Sequence, residues 1–145
     1  MTKLEHIPLI IALGLIMVTT GCGKTEQLTG LVPAGGMIYC DDAPLEGAVI
    51  SFIPSSASGR TAVGRSDNEG KFAMTTLITN DGAYPDNYSI TVTKISDPVG
   101  EGPESKNTIR SLLPQKYAVP ATSGLTCTLS EKGDKSIKLE ISTKN

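Results

Sequence analysis

The stretch Tyr88-Ser89-Ile90-Thr91-Val92-Thr93 decides the fold. Large apolar side chains fill every second position, and small hydroxyl residues fill the positions between. Successive side chains of an extended strand point to opposite faces, so this spelling makes one buried row and one polar row. The β-branched residues suit a pleated, half-buried surface.

The same alternation recurs on both sides. Ala48, Ile50 and Phe52 alternate with Val49 and Ser51, and Phe72 and Met74 with Ala73 and Thr75. Leu125, Cys127 and Leu129 alternate with Thr126 and Thr128, and Ile137, Leu139 and Ile141 with Lys138 and Glu140. Less regular runs at 36–40 and 60–66 complete seven expected strands. No stretch after Cys22 keeps apolar residues at helical spacing. The pattern predicts an all-β, seven-stranded sandwich of two packed sheets. Turns are expected at 41–44, at 66–70, where Asp67 can bond the backbone ahead and Gly70 can turn left-handed, and at 133–134.

The segment 96–120 breaks the pattern. It carries four prolines and two glycines without alternation. Its first half, 97–103, reads as mobile. Its second half, 109–117, carries apolar residues expected to pack on the sandwich. Long loops of this kind are commonly functional.

With 145 residues the chain has room for one domain. Two Phe, four Tyr and no Trp leave the core to aliphatic side chains. The net charge is −2 and no basic stripe is present, which argues against nucleic acid as a partner.

Residues 7–18 read IPLIIALGLIMV. Twelve residues at ~1.5 Å each reach ~18 Å, short of a ~30 Å hydrocarbon core but suited to the apolar region of an export signal. Val18-Thr19-Thr20-Gly21-Cys22 follows. It resembles the lipobox of bacterial lipoproteins, in which the cysteine is acylated and the signal is cut just before it. Thr19 stands where leucine is usual. The competing readings are a secretory signal with an incidental cysteine and a retained membrane anchor. The expected organisation is a signal peptide at 1–21, a lipidated flexible tether at 22–32 and a β-sandwich domain at 33–145. The expected place is the cell envelope, lipid-anchored to an inner or outer membrane through Cys22, with the domain outside the cytoplasm.

The run Gly36-x-Ile38-x-Cys40-Asp41-x-x-Pro44-Leu45-x-Gly47-Ala48-x-Ile50-x-Phe52, with Gly64-x-x-Asp67-x-x-Gly70-x-Phe72, resembles carboxypeptidase regulatory-like domains. Tyr88-x-Ile90-x-Val92-x-Lys94, Leu113-Pro114-x-Lys116-Tyr117 and Thr122-Ser123-Gly124-Leu125-Thr126 are similar to stretches of small lipoproteins from planctomycete bacteria. The resemblance spans about 33–141 and implies a transthyretin/Ig-like sandwich. It departs at Asp42, where the family has Gly, and at Cys40, where it has a large apolar residue. It implies an accessory, binding or structural module.

The one histidine, His6, lies in the expected signal. A mature domain without imidazole has no Ser-His-Asp or Cys-His catalysis, and a zinc site is not expected. Hydroxyisourate hydrolysis, known in a transthyretin-related group, needs histidines and a Tyr-Arg-Gly-Ser ending, neither of which is here. Asp67-Asn68-Glu69-Gly70 and the carboxylates Asp41, Asp42, Asp81 and Asp86 read as turn chemistry, because the spacing of a calcium loop is absent. Gly35-Gly36 lacks the spacing and the lysine of a phosphate loop. Cys40 and Cys127 both fall on inward positions of an exported domain. They read either as a disulfide closing a long loop or as two separate buried thiols. No catalytic residue, metal or cofactor is expected. The expected function is a membrane-anchored binding or structural module whose partner is an envelope protein or glycan. The alternative is an accessory subunit of an envelope enzyme or transporter. The 96–120 loop and exposed strand edges are the expected contact surfaces.

Overall fold

The computed structural model describes residues 29–96 and 110–144. The expected signal peptide, Cys22, most of the tether and residues 97–109 lie outside the described part. The described chain is mostly β, in two four-stranded sheets.

The first sheet is built around β1 (Ala34–Cys40). The last strand, β8 (Asp134–Ile141), runs parallel along its full length, from Ala34–Asp134 to Cys40–Ile141. On its other edge β5 (Lys71–Ala73) pairs with Gly35 to Met37, and β2 (Ala43–Pro44) continues along Tyr39 and Cys40. The second sheet is antiparallel throughout. Its order is β4 (Ala62–Arg65), β3 (Val49–Pro54), β6 (Asp86–Thr93), β7 (Leu125–Leu129).

Eight strands form where seven were expected. The addition is β2, too short to show alternation. Asp41 and Asp42 both take positive φ, 48° and 68°, in the two-residue turn that folds β2 back on β1. That geometry matches the right-handed twist of the flanking strands.

The inward rows read from the sequence are the core. Ile38, Ala48, Ile50, Phe52, Met74, Tyr88, Ile90, Val92 and Leu139 are buried. Phe52 of the second sheet meets Phe72 of the first edge-on, with ring centroids 6.4 Å apart, and Tyr88 at 5.4 Å. Every buried polar side-chain atom among the described residues has a partner. The clearest case is Ser66, whose Oγ accepts from Ala48 N at 2.9 Å and donates to Leu45 O at 2.5 Å. This ties the start of β3 to the end of β4.

Gly36 shows why the first sheet needs glycine. A Cβ there would lie 1.8 Å from the Ile137 carbonyl oxygen. Gly36 therefore serves close strand approach at a bulge in the β1–β8 register.

β7 covers only Asp86 to Ile90 of β6. A 3-10 turn (Gln115–Ala118) and the one-turn α1 (Pro120–Ser123) pack along β6 as well. Leu113 and Tyr117 are buried there, and the Tyr117 hydroxyl accepts from Ser142 N at 2.9 Å, joining this segment to the end of β8. The second half of the long loop does pack on the sandwich. Its short helical turns fall below the length at which periodicity can be read.

Candidate functional site

The strand directions give the sandwich two distinct ends. The chain arrives at Thr29, and Val32 pairs with Ala83 just before β6 begins. The turn before β8 lies at this end as well, since Asp134 N donates to Pro33 O at 2.8 Å. β1 and β6 run away from it together. The opposite end carries the Asp41–Asp42 turn, the Asp67–Gly70 turn, the end of β8 and the stems of the long loop.

Those stems are paired. Ser96 N donates to Arg110 O at 2.9 Å, Leu112 N donates to Lys94 O at 2.8 Å, and Ile95 bridges Ser111. The described residues on either side of 97–109 are thus held side by side. Ile95 is 62% exposed and Leu112 50% exposed there.

A groove of about 640 Å³ lies on the outer face of the first sheet. Gly35 and Ala73, with little or no side chain, leave the surface low there, and Met37 lines the groove beside them. Leu31, Lys71, Lys135 and Asp81 stand around it. Lys71 forms an exposed ion pair with Glu69, worth little to stability. The Asp81 carboxylate is occupied by the backbone. Burial acts to raise its pKa, but the N–H groups of Ile78, Thr76 and Leu77 outweigh it and hold the carboxyl below its ordinary value. The groove offers apolar contact and amines, without an activated nucleophile or base.

The other carboxylates also serve turns. Asp67 accepts from Glu69 N and Lys71 N, both at 2.9 Å, and Gly70 takes a φ of 75°, as the turn reading expected. Hydroxyls of Thr143 and Ser142 hold the Asp41 carboxyl below its usual range. Ser56 does so for Asp86 and Ser136 for Asp134. Asp42 lies beside Asp41 at the mouth of a small polar hollow with Tyr39 and Lys144. Among the described residues no group of three or more metal-ligating side chains is assembled.

The two described cysteines are not brought together. Both are free and half-buried. Cys40 pairs with Ile141 at the far end of β1, within electrostatic range of Lys94. Cys127 feels Asp134, which pairs with Ala34 at the near end. Six residues of strand, ~20 Å, separate these positions. The structure thus keeps two separate thiols rather than the bridge, whose Cα atoms would need to approach within ~7 Å. Burial, then Asp134, pushes the Cys127 thiol up to about 11, and burial raises Cys40 as well. Neither is set up as a thiolate nucleophile.

Sequence reading missed Ser66, which looks like a turn residue, and the exposed pair Leu77 and Ile78, which belong to no strand. Among the described residues β7 pairs only with β6 and β8 only with β1, so each leaves one long side unpaired. No described helix is long and apolar enough to cross a membrane. The chain matches no family model, no curated protein and no solved structure.

Proposed function

We propose that this chain is an exported lipoprotein, held to a bilayer by acyl groups on Cys22, whose β-sandwich is a non-catalytic binding or structural module at the cell envelope. The observation that carries the reading is the order of parts along the chain: a twelve-residue apolar run, Gly21-Cys22, a short polar stretch, then a sandwich. Two or three acyl chains, at ~0.8 kcal/mol per buried CH₂, hold such a protein stably on a membrane. The resemblance to carboxypeptidase regulatory-like, transthyretin-like domains supports an accessory role. It is a likeness of motifs and carries no activity.

The absence of imidazole after residue 6 weighs against hydrolytic catalysis by this chain. The exposed Ile95 and Leu112 favour a protein partner over a glycan. That observation also supports the second reading, an accessory subunit of an envelope enzyme or transporter.

Intact mass of the membrane-extracted protein tests the anchor. The expected result is a chain beginning at Cys22 with acyl mass added, and release of Cys22→Ala from membranes. A chain retaining residues 1–21, or an unmodified Cys22, overturns the proposal. Cross-linking in the native envelope from Leu112 tests the partner.

A further inference from the structure

Leu77 and Ile78 are 53% and 65% exposed and adjacent in the loop 75–82. The loop is built to hold them there. Asp81 accepts from the N–H groups of Thr76, Leu77 and Ile78 at 2.6, 2.9 and 2.7 Å. Asn80 N donates to Thr75 Oγ1 at 2.9 Å, and Thr76 Oγ1 donates to Gly82 O at 2.8 Å.

The stem of the loop stands where the chain comes in. Gly82 N donates to Met74 O at 3.0 Å, and the next residue, Ala83, pairs with Val32 at 2.9 and 3.0 Å. Six residues lie between Cys22 and Thr29, and the seven steps of chain that join them span at most ~25 Å. An anchor at Cys22 thus keeps this loop within a short reach of the bilayer.

We infer that Leu77 and Ile78 insert into the interfacial layer of the bilayer that anchors the chain, as a second, apolar attachment that sets the orientation of the domain. The inference rests on the lipid anchor proposed above. Backbone amides without partners resist transfer from water. Here the three amides at the tip already have a partner in Asp81, so the apolar side chains can leave water without stranding them. The attraction is apolar rather than electrostatic, since Lys71 is paired with Glu69 and Lys135 shares the groove with Asp81. It therefore needs no anionic lipid.

The chain holds no Trp, so a single introduced Trp reports its own surroundings. Ile78→Trp and Leu77→Trp are placed at the loop, and Leu112→Trp at the opposite end. Each full mature protein is extracted from membranes, weighed intact and reconstituted in phosphatidylcholine vesicles with and without brominated acyl chains. The expected result is blue-shifted emission, lost in bromolipid, for both loop variants, with Leu112→Trp unshifted and unquenched. Water-like, unquenched emission from both loop variants on an acylated chain overturns this inference alone. Equal quenching at Leu112→Trp overturns the orientation it sets. A mass without acyl groups overturns the anchor and this inference with it.

Discussion

Gly36→Ala places one methyl group against the most demanding contact in the sandwich. The added carbon would sit 1.8 Å from the Ile137 carbonyl oxygen, 2.6 Å from its carbon and 2.8 Å from its nitrogen. All three atoms are backbone of β8, so no side chain can rotate to make room. β8 must retreat from β1 by more than an ångström, and it carries Ile137, Leu139 and Ile141 of the core with it. Forcing a methyl group into a packed core costs ~1–3 kcal/mol, occasionally more. With the loosened parallel pairing, we expect a loss of ~3 kcal/mol or more, a large part of the ~5–15 kcal/mol that small domains possess. In an ordinary strand position the same change would stabilise by ~0.5–1 kcal/mol. The sign of the effect therefore reports the close approach. Urea unfolding followed by far-ultraviolet circular dichroism is the assay. At ~1–3 kcal/mol per molar urea, the midpoint should fall by ~1–3 M with little change in slope. Gly124→Ala is the comparison, with φ of 68° and no atom within 4 Å of the new carbon. It should cost only the left-handed penalty of ~1–2 kcal/mol. A Gly36→Ala protein as stable as the parent, or more stable than Gly124→Ala, would show that β8 does not lie beside β1 in this register.

Ser66→Ala removes the hydroxyl shared by Ala48 N and Leu45 O and leaves both unpaired in a buried site. A loss of ~1–3 kcal/mol is expected in the same urea assay. Asp42→Gly relieves a side chain held at a φ of 68° and should stabilise by ~0.5–1 kcal/mol, read as a Tm rise of a few degrees. Stability should be flat from about pH 5 to about pH 8, because no histidine titrates in the described domain. Asp41, Asp81, Asp86 and Asp134 have folded values below their ordinary 3.8, so their contribution is complete above that value and is lost as pH falls through the folded values. Burial raises Cys127 from 9.0 to about 11 and Tyr88 from 10.0 to about 12. Their contributions are complete below the ordinary values and are lost as pH climbs through the folded ones. Thermal melts across the pH range check both limbs, and a step between about pH 6 and about pH 7 would contradict the account.

Alternation made the faces of the strands legible. Ile50 and Phe52, Ile90 and Val92, and Leu139 and Ile141 are buried as their spacing required. Partners were not legible. Nothing local to Gly36 or Ile137 announces that they meet across a hundred residues, because pairing is decided by which rows fill the core together. The turn chemistry at Asp67 was legible because its consequences lie within four residues. The role of Ser66 was not, since its partners Leu45 and Ala48 are about twenty residues away. The thiol pair shows the same limit. Parity placed Cys40 and Cys127 inward, but position along the strand axis, which parity does not encode, sets them far apart. The loop 75–82 was invisible for another reason: Leu77 and Ile78 are apolar residues that the core does not use.

The parallel pairing of β1 and β8 gives the two ends of the domain different neighbours. An antiparallel last strand would return the chain to where it arrived. The parallel one carries Ser142 to Lys144 to the end that also holds the Asp41–Asp42 turn, with Asp41 accepting from Ser142 and Thr143 across that junction. Tyr117 joins the same junction through Ser142, so the stems of the long loop are tied to the end farthest from Thr29. Under the proposed anchor at Cys22, the parallel topology puts that end farthest from the point of attachment, and the glycine at position 36 lets β8 sit close enough to β1 to hold it there. With that anchor, attachment would fall to the end where Val32 pairs with Ala83, and the Ile95–Leu112 end would be left for a partner.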